Sequence, residues 1–321
     1  MVTIQDIRID GSVVYRAAGS GVARLHTNNA GTAGHYEQRI AVVLATLQRY
    51  QCGRILLAEV SAAARRRGHQ ITIAPWTEAN TAGGGMDLRP PAGNPPGQPM
   101  DRQAQEALGL RATTANLQVS DRAGVPRAHT GDNPFTAAVE QPGQPMLGTG
   151  EGTDAVVLFD PARITRAFVG GNADEILFHE LIHAKHALEG RSHQSPTHDH
   201  YDNQEEFGAV LATDIYLSDK GALLIRNSHQ LPAGPETVGM LGALGATRHT
   251  TVGGNPFAGM AGGGSVSPAS AEFAHRHQAA IAVFFAQDQR LANRLAQEAS
   301  RVPYNPLRDF LAANAWARRT V

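Results

Sequence analysis

The chain has 321 residues, 42% of them hydrophobic and 18% charged, with a formal net charge of −1 at pH 7. That is ample material for a core, and the near-neutral balance excludes capture of nucleic acid or an anionic membrane through bulk electrostatics. One cysteine, Cys52, excludes an intramolecular disulfide, and its setting "RYQCGRILL" reads as core packing, because nothing near it in sequence supplies a base.

The opening stretch "MVTIQDIRIDGSVVYRA" lacks the basic region, apolar run and small-residue cleavage site of a Sec signal. No apolar run approaches the roughly 20 residues that span a bilayer. The expectation is a soluble protein, with export by a route without a cleaved signal left open. Alternation over residues 2–16 predicts a hairpin around Asp10-Gly11. "YEQRIAVVLATLQRY", 36–50, has helical period through Ile40, Val43, Leu44 and Leu47, and "GRILLAEVSAAARRRGH" predicts a second helix ending near Gly68. The basic run "ARRR" at 64–67 reads as a solvated helix end. "QITIAPW", 70–76, alternates like a strand.

From about 79 to 152 the chain is rich in Gly, Pro, Ala, Asn and Thr and predicts a long flexible insertion; "GGNPFAGMAGGGSVSP", 253–268, predicts a second. "DAVVLFDP", 154–161, reads as a buried strand closed by proline, and helices are expected at about 173–189, 204–219 and 270–300. No internal repeat is visible. The insertions separate no segment that is clearly self-sufficient, so a single domain over 1–321 is expected. The fold class is α+β, with a small mixed sheet and several helices.

"HELIHAKH", 179–186, carries the chemistry. Asn172 and Glu175 form a capping-box pattern before it, Gly190 follows it, and "ADEILFHELIHAKHALE" between them has neither Pro nor Gly. His179 and His183 therefore share one face of an unbroken helix, about a turn apart. Two such imidazoles can hold one Zn²⁺, and Glu180 can act as general base on a metal-bound water. The bland alternative is a surface helix whose histidines pair with acids. His186 lies seven residues from His179, roughly 10 Å along the axis, and reads as outside the site.

The third ligand is sought in "HDHYDNQEEFGAVLATDIYLSDKG". Asp202 or Asn203 caps a helix there, and Glu205 and Glu206 sit in its first turn, 22 and 23 residues past His183. Glu206 is favoured and Glu205 is the alternative, although either could serve only as the far half of a capping box. His193, His198, Asp199, His200 and Asp202 in the preceding loop remain further candidates.

"HELIHAKHALEG" followed by "NQEEFGAVLATDIYLSDKG" resembles the NleD-like zinc metallopeptidases, which bacterial secretion systems deliver as effectors or toxin domains. The similarity is strongest over about 154–226 and weaker over 1–76. It implies a zincin-like, gluzincin-type endopeptidase with His179 and His183 as ligands, Glu180 as base and a downstream glutamate, here Glu206, as third ligand. It also implies a protein substrate in a host or competitor cell, secretion without a cleaved Sec signal, and a secretion chaperone as a further partner. The active-site plan of that family is similar to that of clostridial neurotoxin light chains, where an Arg and a Tyr three apart stabilise the transition state. Arg301 and Tyr304 in "RVPYNPL" have that spacing. The strand at 155–159 is expected at a sheet edge, pairing with extended substrate. Two rival readings are a zinc site that only holds the fold, and a binding module or pseudo-protease that recognises a partner without cutting it.

Overall fold

The computed structural model describes residues 1–18, 21–77, 115–120, 126–127, 148, 150, 152–159, 161, 170–193, 195–197, 201, 203–222, 224–226, 246–248 and 268–314. Strands β1 (Val2–Ile4) and β2 (Ile7–Ile9) form a tight antiparallel hairpin. Its turn is Gln5-Asp6, both with positive φ (48° and 63°), the primed geometry that follows strand twist. The hairpin expected at Asp10-Gly11 is thus displaced. Asp10 instead accepts a hydrogen bond from the Ser12 N–H (3.0 Å) and turns the chain from β2 into β3 (Val13–Ala18). β3 pairs antiparallel with β4 (Gly21–Thr27) and parallel with β6 (Trp76–Thr77) in a small second sheet.

Asn29 caps α1 (Ala30–Arg49), whose stripe Tyr36, Ile40, Val43, Leu44 and Leu47 is buried. Extended backbone at Tyr50 ends it, and α2 (Gln51–Arg67) runs to a left-handed cap at Gly68, as expected. The "ARRR" run is the end of this helix, but it is tied down: Arg65 pairs with Asp6 and Arg66 with Glu189.

The main sheet has the order β1-β2-β5-β9-β7-β8, with β5 at Ile71–Ala74, β7 at Ala115–Ser120, β8 at Pro126–Arg127 and β9 at Ala155–Phe159. β2, β5 and β9 run parallel, and β7 runs antiparallel to β9. The mixed sheet and its helices confirm the α+β class. Two expectations are corrected here. β9 is an interior strand, paired on both sides and buried at every residue, so it offers no free edge to a substrate. Part of the segment 79–152 is sheet: Ala115, Leu117 and Val119 alternate as a strand requires, within a polar stretch that hid the period. The remainder of the two predicted insertions, apart from residues 126, 127, 148, 150, 152 and 268, lies outside the described residues.

Helix α3 (Ala173–Glu189) has the predicted caps: a capping box between Asn172 and Glu175, and a left-handed Gly190. Its C-terminal carbonyls are met by the segment 148–153. Gly150 N–H donates to Gly190 O (2.8 Å) and Thr153 N–H to Ala187 O (3.1 Å). This approach demands glycine at 152, where φ is +76° and a Cβ would fall 2.0 Å from Leu188 O. Helix α4 (Gln204–Asp219) follows, then an antiparallel pair of β10 (Leu224–Arg226) and β11 (Ala246–Arg248). The single helix expected at 270–300 is three: α5 (Pro268–Arg276), α6 (Gln278–Gln287) and α7 (Gln289–Gln297). The second break is set by Asp288, whose Oδ1 accepts from Leu291 N–H (3.1 Å) and caps α7. Asn305 caps the last helix, α8 (Pro306–Ala313). One buried apolar cluster takes residues from β2, β5 and β9 and from all of α1–α8, ranging from Ile7 to Leu311. α3 runs through it with Leu177, Phe178, Leu181 and Ile182 fully buried.

Candidate metal centre

α3 and α4 pack antiparallel, and side chains at both ends fix their register. At one end Lys220 Nζ bridges Asp174 and Glu175 (2.6 Å each), Tyr216 Oη donates to Asp174 (2.6 Å), and Tyr216 stacks on Phe178 with centroids 4.5 Å apart. At the other end this register brings the first turn of α4 to the third turn of α3. His179 Nε2 and His183 Nε2 lie 3.0 Å apart; Glu206 Oε2 is 3.2 Å from the first and 3.4 Å from the second.

Those distances fit a metal. Metal–ligand bonds of about 2.0–2.1 Å at a tetrahedral angle place donor atoms roughly 3.4 Å apart. Two imidazole nitrogens and a carboxylate oxygen gathered this closely present lone pairs to one point, which a divalent cation satisfies. His179, His183 and Glu206 are the set among the described residues that could hold an ion. The side chains keep 9%, 11% and 21% exposure, so the cluster is mostly buried but not sealed from solvent. Asn203 caps α4 by accepting from the Glu206 backbone N–H (2.9 Å), which leaves the Glu206 carboxylate to face the histidines.

Glu205 points the other way. Its Oε1 faces His183 Nδ1 (3.0 Å) and His186 Nδ1 (2.6 Å); its Oε2 accepts from the His193 backbone N–H (3.0 Å) and from Gln287 Nε2. A buried carboxylate engaged on both oxygens in this way has no free lone pair directed at the cluster. Burial alone would raise its pKa, but His186 and His183 hold it well below the usual carboxylate range. His183 thus has one ring nitrogen in the cluster and the other on a carboxylate, the arrangement that fixes the tautomer and aim of a metal-binding imidazole. Sequence reading missed this role. The signal was present in the two consecutive acids of "NQEEF", which a helix must point in different directions.

Electrostatics divide the site. Burial lowers His179 to about 4, against its hydrogen bond to Glu206 and with His183 adding to the shift, so it is neutral and able to ligate near pH 7. Burial lifts Glu180 to about 7; His183 opposes that and Glu206 reinforces it. A carboxylate poised near neutrality can take up and return a proton. Arg226 on β10 is buried and donates its backbone N–H to Asp214 Oδ1 (2.9 Å). Its guanidinium lies within electrostatic reach of both His179 and Glu206.

Arg301 and Tyr304 come from the segment that leads into α8. Arg301 is exposed in the turn before α8. Tyr304 is 1% exposed; its ring packs edge-on to Phe273, and its backbone N–H donates to Ser218 Oγ (3.0 Å). Ser218 is at the C-terminal end of α4, about 18 Å along the axis from Glu206. The Tyr304 hydroxyl lies within electrostatic reach of Asp214 and Tyr201. Of the loop candidates, His193 contributes its backbone N–H to Glu205, while His198, Asp199, His200 and Asp202 lie outside the described residues. His186, read from sequence as outside the cluster, is outside it, yet it touches the same Glu205 as His183.

Residues 26–222 match the peptidase M91 family, described as effector proteins. The chain belongs to that family. No curated protein and no solved structure matches it. The M91 match spans β4 to the end of α4, so it contains the HExxH helix, both glutamates and the sheet strands beneath them. It ends before Gln287 and Asp288, which complete the surroundings of Glu205 from α6 and α7. Membership in M91 points to a peptidase effector with a protein substrate, delivered into host cells. Among the described residues no helix is long and apolar enough to cross a membrane.

Proposed function

We propose that this M91 chain is a zinc-dependent endopeptidase that cleaves a specific protein inside a target cell. The observation that carries the reading is the convergence of His179 Nε2, His183 Nε2 and Glu206 Oε2 within 3.0–3.4 Å, beside a glutamate of raised proton affinity. His179, His183 and Glu206 would hold the metal. When bound, Zn²⁺ supplies a Lewis acid that polarises the scissile carbonyl and acidifies water. Glu180 accepts the proton of the attacking water and returns it to the leaving amine. Glu205 holds His183 in the tautomer that presents Nε2 to the metal. Arg226 places a buried positive charge near the donors, where negative charge develops on the substrate. The whole chain acts as one peptidase unit, delivered into the target cell with the help of a secretion chaperone.

Elemental analysis and a cleavage assay test this together. One zinc per chain is expected in the wild type and in Glu180→Ala, and none in His183→Ala or Glu206→Ala. Peptides released from a target-cell lysate, identified by mass spectrometry, should appear with wild type and disappear with Glu180→Ala. An active Glu180→Ala protein, or a wild type that takes up no zinc after refilling, overturns the reading. Zinc without cleavage of any protein or peptide would favour a binding module.

A further inference from the structure

Three residues beyond His183, the third histidine of α3 is fully buried. His186 Nδ1 lies 2.6 Å from Glu205 Oε1 and His186 Nε2 lies 3.2 Å from Asp288 Oδ2. We propose that His186 is a positioning residue for the metal centre: clamped between Asp288 and Glu205, it holds the Glu205 carboxylate against Nδ1 of His183 and so keeps Nε2 of His183 aimed at His179 and Glu206. This rests on the metal-site reading above.

A neutral imidazole carries one N–H, and two carboxylate oxygens on opposite ring nitrogens call for two. Burial opposes the imidazolium, but Glu205 and Asp288 overcome that and lift His186 to about 9. His186 is therefore a double donor near neutral pH, and it ties together two carboxylates that are themselves fixed. On one side, Glu205 is held through Oε2 by the His193 N–H and by Gln287, whose Nε2 also donates to Arg191 O (2.9 Å). With Oε2 engaged and Oε1 drawn to His186, Glu205 presents Oε1 to His183 along a single direction. On the other side, Asp288 is set by the start of α7, which its Oδ1 caps.

The anchor reaches further. Lys185 Nζ, with 0% side-chain exposure, bridges Asp288 Oδ2 (2.6 Å) and Glu189 Oε2 (2.9 Å), and Glu189 pairs with Arg66 on α2 (2.6 Å). The chain of contacts His183–Glu205–His186–Asp288–Lys185–Glu189–Arg66 joins α4, α3, α7 and α2, and alternates in charge from Glu205 onward. Buried ionic groups persist only where each has its counter-charge. This chain meets that condition and ends on a metal ligand. It gives "HAKH" a meaning beyond the metal motif: Lys185 and His186 grip one aspartate from adjacent positions on the helix.

The test is zinc affinity of the full chain, by competition with a chromophoric chelator, for wild type, His186→Gln, Glu205→Gln and the double variant. Asp288→Asn serves as the second route if His186→Gln does not fold, and circular dichroism of the metal-free proteins checks folding. His186→Gln should weaken zinc about 10- to 100-fold, and Asp288→Asn should do the same to a smaller degree. Added to Glu205→Gln, His186→Gln should cost less than about threefold more, because its effect runs through that carboxylate. The visible bands of the cobalt-substituted protein should shift alike in His186→Gln and Glu205→Gln, which a role confined to stability would not produce. Folded variants with wild-type zinc affinity and an unchanged cobalt spectrum overturn the proposal, as does a full additional loss in the Glu205→Gln background. A wild type that binds no zinc overturns the metal-site reading, and this proposal with it. A wild type that binds zinc, with unaffected variants, overturns this proposal alone.

Discussion

α3 carries two histidine clusters one turn apart, and they are built on opposite logic. At His179 and His183 the neighbours are acceptors: two Nε2 atoms and a Glu206 oxygen within 3.0–3.4 Å, with side chains 9–21% exposed. At Lys185 and His186 donors meet acceptors: an ammonium and an imidazole on Asp288, Glu189 and Glu205 at 2.6–3.2 Å, with Lys185, His186 and Asp288 at 0% exposure. Gathered lone pairs suit a cation. Matched opposite charges suit a buried brace. The residue types are nearly the same, so a count of histidines does not separate them. What separates them is which side chains α4 and α7 deliver to each turn.

The sharpest break in that comparison is His183→Ala. It should take zinc content from one per chain to near zero and abolish cleavage, with the fold kept. Full zinc in that variant would mean that the two clusters are not distinct. Lys185→Met asks the reverse question. Removing the ammonium leaves Asp288 and Glu189 buried with less counter-charge, and should cost about 3–5 kcal/mol in chemical unfolding. Zinc should still bind with one-to-one stoichiometry wherever the variant is folded. Loss of zinc from a folded Lys185→Met would show that the brace and the donor set are one unit.

A third prediction uses pH. His186 is raised from its ordinary 6.5 to about 9 in the folded protein, so the stability it contributes is complete below about pH 6.5 and is lost as pH rises through 9. The loss should be on the order of 3 kcal/mol, measured by denaturant unfolding of chelator-treated protein from pH 6 to 10. His186→Gln should flatten that decline; an equally steep one would remove His186 as its source. Asp288 and Glu205 act with the opposite sign. Their folded values are depressed, so their contribution is present above about pH 4.5 and is lost as pH falls below it.

The smallest effects are expected outside both clusters. Arg301→Ala should alter stability by less than about 0.5 kcal/mol, as surface substitutions do. Tyr304→Phe should leave zinc content intact. Neither should change turnover more than about threefold. A hundredfold fall in kcat with KM unchanged for Tyr304→Phe would mean that its hydroxyl takes part in the reaction.

Much of the local structure was legible because it depends on neighbours in sequence. The capping box at Asn172 and Glu175, the glycine stops at 68 and 190, and the shared face of His179 and His183 follow from helix geometry alone. The turn at Gln5-Asp6 escaped because neither residue is glycine and the Asp10-Gly11 signal beside it is stronger. The three-way division of 270–300 escaped because Asp288 reads as an ordinary polar residue until α7 needs a cap and Lys185 needs a partner.

By itself the sequence determined which helix bears the candidate site, which two histidines share its face, and that the next helix brings an acid. The tertiary structure alone decided which acid. Adjacent residues on a helix point roughly 100° apart, so the rotation of α4 against α3, set by Phe178, Tyr216 and Lys220 at the far end of the pair, sends Glu206 to the histidines and Glu205 behind them. It also placed β9 inside the sheet, because the partner that covers it comes from a segment whose sequence reads as a loop. Helix periodicity is a property of the chain and its nearest neighbours. Rotation and strand order depend on contacts between residues far apart in sequence, and no single segment contains them.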